Sequence, residues 1–98
     1  NTMKLEVYVC STLENGTTSF FRKSHKVGKS YVPPKIGAPF TSFTLAPINH
    51  IRIQTCEVKD VREKENSTGV LFGTETPSDV LRECLLQEGY EEVYGFPK

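Results

Sequence analysis

Tryptophan is missing from these 98 residues, and only one methionine and three cysteines are present. Cys10, Cys56 and Cys84 cannot all pair with one another, none forms a C-x-x-C, and none stands near a spaced histidine. That spacing argues against a disulfide framework and against zinc, and it favours a reducing compartment with the thiols as small buried groups. Long hydrophobic runs are also lacking: none approaches the ~18 residues of a membrane helix, and the segments at Val70 and Val80 are broken by charge within a few positions. Net charge is zero, so attraction to nucleic acid or membrane by overall charge is excluded as well.

A chain of this length supports one small core, and the sequence reads as one compact domain over residues 1–98. Its charge is unevenly spread: residues 1–50 hold six bases and two acids, and residues 51–98 six bases and ten acids. The two halves either neutralise one another across the fold or present faces of opposite sign.

Period-2 alternation of Leu5, Val7 and Val9 with Lys4, Glu6 and Tyr8 predicts a strand over Lys4–Cys10. Asn15-Gly16 then supplies the positive φ values of a tight hairpin, so Thr18–Lys23 should return antiparallel. From Ser24 the chain turns polar, with Gly28, Pro33, Pro34, Gly37 and Pro39 close together, which predicts a long surface loop with a stiff, extended centre. Phe40–Leu45 reads as a short strand ended by Pro47. His50–Arg62 reads as a longer strand bent near Cys56-Glu57, where the apolar phase slips. Val70-Leu71-Phe72 suits a central strand. Thr76-Pro77-Ser78-Asp79 has the pattern of a helix start, with Thr76 as cap, and Gly89 that of its end, so a helix is predicted at 77–88. Val93, Tyr94 and Phe96 would close the fold as a terminal strand. The expected class is α+β: a mainly antiparallel curled sheet or partly open small barrel of five to six strands, with one C-terminal helix.

Tests for chemistry narrow the functions. Gly28-Lys29-Ser30 ends like a phosphate-binding P-loop, but position 23 is Lys where that motif needs Gly, and a Pro-rich stretch follows where it needs a helix. Carboxylates in 57–65 alternate with Lys and Arg, as on a solvated hairpin end. No catalytic residue, metal or cofactor is assigned. An enzyme using His50 and Cys56 ranks last, because nothing orients that pair.

The segment from Phe20 through Lys35 holds five Lys or Arg, one His and no acid, with aromatic residues at both ends. It predicts a non-catalytic recognition or regulatory protein whose basic loop binds an anionic ligand, either nucleic acid or a nucleotide-like molecule. Arg22, Lys23, His25, Lys26, Lys29, Tyr31 and Lys35 are the candidate residues, with Tyr31 or Phe21 stacking. The alternative is a protein-protein adaptor or inhibitor, acting on a foreign partner or as a homo-oligomer in which this loop meets Glu91 and Glu92 of another copy. Localisation is expected to be cytoplasmic, with no membrane contact. The two glycosylation sequons beginning at Asn15 and Asn66 point instead to secretion.

Overall fold

The structure, a computed structural model, describes residues 1–13, 16, 18–38 and 56–97. The expected strand at Phe40–Leu45, the first half of the strand begun at His50, and the tip of the hairpin at Asn15 lie outside the described residues.

Among the described residues five strands form one open sheet. They are β1 (Thr2–Ser11), β2 (Phe20–Gly28), β3 (Cys56–Glu63), β4 (Ser67–Thr74) and β5 (Glu91–Val93), in the spatial order β3-β4-β1-β2-β5. One helix, α1 (Ser78–Gln87), joins β4 to β5. The α+β class stands, but the sheet is mixed, because β1 pairs parallel with β4. The reason is connectivity. After β2 the chain crosses to β3 at the opposite edge, and the β3–β4 hairpin then brings β4 up the free side of β1 in the same direction.

Leu5, Val7 and Val9 of β1 pack with Phe21, Val58, Val70 and Phe72 on one side of the sheet, where Leu81, Leu85 and Tyr90 cover them. In α1 the buried positions are Leu81, Cys84 and Leu85, one stripe at helical spacing. Burial of each large apolar side chain contributes about 1.5–3 kcal/mol. The helix begins one residue later than the capping pattern suggests. Pro77 is the capping residue and makes no side-chain cap bond, while Thr76 is buried with its hydroxyl 3.2 Å from that of Thr74. At the other end Gly89 adopts φ +89, Tyr90 N donates to Leu85 O at 2.9 Å and Gly89 N to Leu86 O at 3.2 Å. That paired closure satisfies the carbonyls of Leu85 and Leu86 at the end of the helix.

Three further expectations are corrected. The strand bend lies between Val58 and Asp60 and so past Cys56-Glu57. β2 continues through Gly28, so Ser24 to Gly28 is strand where a loop was expected: once the hairpin register is set, β1 offers pairing partners as far as Thr2. The terminal strand ends at Val93. Tyr94 is fully exposed, and Phe96 instead lies over the sheet face opposite the helix, its ring edge-on to Tyr8 with centroids 5.0 Å apart.

Candidate functional site

The extra length of β2 decides where its cations go, because successive strand side chains point to opposite faces. Directly opposed residues share a face. Arg22, Ser24 and Lys26 therefore stand with Tyr8, Glu6 and Lys4 on the open face, while Lys23, His25 and Val27 stand with Val7, Leu5 and Met3 on the helix side. The residues expected to converge are divided between two surfaces.

Two of them are occupied within the fold. Arg22 is hydrogen-bonded and ion-paired to Glu91, and the Glu91 carboxylate beside it raises the guanidinium pKa. Lys23 Nζ donates to Glu88 O at 2.8 Å and sits 5.8 Å from the centre of the Tyr90 ring. Its charge meets the negative end of α1. Lys29, Tyr31 and Lys35 belong to a crossing segment between β2 and β3. Tyr31 N donates to Gly28 O at 3.0 Å, and Gly37 N donates to Val58 O at 2.7 Å. Tyr31 packs against the core and burial raises its pKa, so its ring faces inward. Phe21 is fully buried, which leaves it no face for a base. Lys29 and Lys35 are exposed on this segment.

What does come together is a depression at the lower end of the β1–β2 pair. Thr2, Met3, Lys4, Ser24, His25 and Lys26 line a cavity of about 370 Å³. Lys4 lies directly opposite Lys26 in the register. Like charges so placed repel in the absence of an anion. Glu6 Oε1, 3.3 Å from Lys4 Nζ, offsets part of this repulsion, while Lys26 is exposed and has no ionic partner among the described residues. His25 Nε2 is buried without a hydrogen-bond partner, and burial, with Lys23 secondary, lowers its pKa. Its imidazole is neutral near pH 7 and can donate or accept one bond.

Lys4 and Ser24 are site residues that the sequence reading did not single out. Only the observed register reveals them: a two-residue turn at Asn15-Gly16 would set Lys4 opposite Val27, whereas the sheet sets Lys4 opposite Lys26 and Glu6 opposite Ser24.

For cysteine chemistry the surroundings are adverse. Burial first, then Cys10 and Glu57, push the Cys56 thiol up to about 12, which keeps it protonated near neutral pH. His50 lies outside the described residues. Among the described residues no group of three His, Cys, Asp or Glu could hold a metal ion, and no helix is long and apolar enough to cross a membrane. Compared with protein-family models, curated proteins and solved structures, the chain matches none.

Proposed function

We propose that the protein is a small non-catalytic recognition domain that binds a phosphate-bearing ligand in the depression between the lower ends of β1 and β2. The observation that carries this reading is Lys4 facing Lys26 across the strand pair at the cavity's edge. Two ammonium groups on one rim gain most from a ligand that places an anion between them. Ser24 adds a hydroxyl on the same face of the sheet as the two lysines. Lys26 carries the role expected of the wider basic segment, whereas Arg22 and Lys23 serve the fold and His25 faces the helix side. The inward placement of Phe21 and Tyr31, which leaves neither ring free to stack on successive bases, favours a nucleotide-like small molecule over a nucleic-acid strand.

Titration with inorganic phosphate at low salt, followed by amide chemical shifts, tests the proposal. Shifts should centre on Thr2, Lys4, Ser24, His25 and Lys26. Lys26→Ala should weaken binding roughly tenfold, as loss of one charge-assisted hydrogen bond predicts, and added salt should weaken it further. Absence of saturable shifts, or shifts centred on Lys29 and Lys35, would overturn it.

A further inference from the structure

The open face carries a second feature beside the lysine pair. Gly69 of β4 pairs with Glu6 of β1 on one side and with Arg62 of β3 on the other. With no side chain at Gly69, the Phe96 ring settles onto the sheet: an added Cβ would stand 3.4 Å from its Cε1. Tyr8 meets that ring edge-on, and the Arg62 guanidinium lies 5.7 Å from its centre. The slot has a glycine floor, a tyrosine wall and an arginine over the ring. Such a set holds any flat aromatic ring.

Phe96 is tied down only loosely. It follows Gly95, is partly exposed, and no hydrogen bond joins residues 94–96 to the sheet among the described residues. Its hold on the slot is ring contact alone.

The three open-face features fall in order along the sheet. One strand spacing and two residues of rise put Gly69 roughly 8 Å from Lys4. Glu6 lies between, with Oε1 toward Lys4 at 3.3 Å and Oε2 accepting from the Tyr8 hydroxyl at 3.3 Å. A carboxylate has about four acceptor sites, so Glu6 can also accept from vicinal hydroxyls. Ring slot, hydroxyl acceptor and ammonium pair succeed one another over the span of one nucleoside monophosphate.

Building on the phosphate reading above, we propose that the ligand is a mononucleotide whose base displaces Phe96 from the Gly69–Tyr8–Arg62 slot, whose ribose hydroxyls donate to Glu6, and whose phosphate lies between Lys4 and Lys26. Phe96 is then a built-in competitor for the base. Its release uncovers the slot, and its return ejects the ligand.

Adenosine monophosphate and inorganic phosphate are the probes, titrated into the full chain and into Phe96→Ala. The variant should bind the nucleotide roughly tenfold more tightly than the parent, the scale of one stacking contact, with phosphate affinity unchanged. In the parent, saturation with the nucleotide should abolish the nuclear Overhauser contact between the Tyr8 and Phe96 rings, a readout that does not depend on the variant folding. Equal affinity for nucleotide and phosphate, with the ring contact retained, overturns the base slot and leaves the phosphate site standing. Failure of both probes to bind removes the phosphate reading and this inference together.

Discussion

Lys23 reaches from the helix side of β2 to the end of α1, where its ammonium donates to the Glu88 carbonyl at 2.8 Å. That carbonyl is among the acceptors a helix leaves unsatisfied at its C-terminus, and positive charge there is favourable. Lys23→Met, which keeps much of the aliphatic stem, should lower stability by about 1 kcal/mol in urea denaturation. Phosphate affinity in the same variant should be unchanged, because Lys23 does not line the depression. A tenfold loss of affinity would return Lys23 to the binding site.

Arg22 and Glu91 form an exposed pair on the other face. Exposed ion pairs contribute about 0–1 kcal/mol. Arg22→Ala should therefore shift the denaturation midpoint only slightly and leave phosphate binding intact. A large effect on either measurement would contradict the assignment of Arg22 to a surface pair.

Gly89 has φ +89 and the Lys23 ammonium nearby, with 3.6 Å between Nζ and the position of an added Cβ. Space is sufficient, so the cost of Gly89→Ala is the backbone conformation alone, about 1–2 kcal/mol. Thermal unfolding should record that loss. If the variant matches the parent, the paired closure of α1 is not the geometry adopted in solution.

His25 supplies a pH test. Burial, reinforced by Lys23, holds its pKa below the ordinary 6.5, so the unfolded chain binds the proton more readily than the fold. The stability contribution of the neutral imidazole is thus fully present above about pH 6.5 and is lost as pH falls toward the folded-state value. Denaturation from pH 7.5 to 5 should show stability declining in this window, and His25→Leu should flatten the decline. A decline of equal steepness in that variant would assign the effect to other groups.

Some features of the fold were legible because they are local. The alternation around Val7 marks β1, Asn15-Gly16 marks a reversal of the chain, and Gly89 marks the end of α1. Ser24 to Gly28 was not legible as strand, because serine, histidine, lysine and glycine have weak strand preference and are extended here by pairing with β1. Nor was the fate of Phe96. An aromatic residue beside Val93 and Tyr94 has the composition of a strand, and only a glycine on a distant strand gives its ring a place to lie.

The candidate site divides in the same way. Basic residues without acids over 20–35 are a fact of composition, and composition alone supported an anion-binding segment. Period-2 geometry then sent Arg22 and Lys26 to one face and Lys23 and His25 to the other. A strand divides sequence neighbours between its two faces, and this stretch begins as a strand.

The sequence alone determined the elements whose causes lie within a few residues: an alternating first strand, an amphipathic helix with its glycine stop, and the uneven spread of charge. Tertiary structure decided the parallel pairing of β1 with β4, the opposition of Lys4 and Lys26, and the seat of Phe96 over Gly69. Each joins residues far apart in the chain, and such contacts follow from strand order and register, which are settled only when the whole sheet assembles around its core.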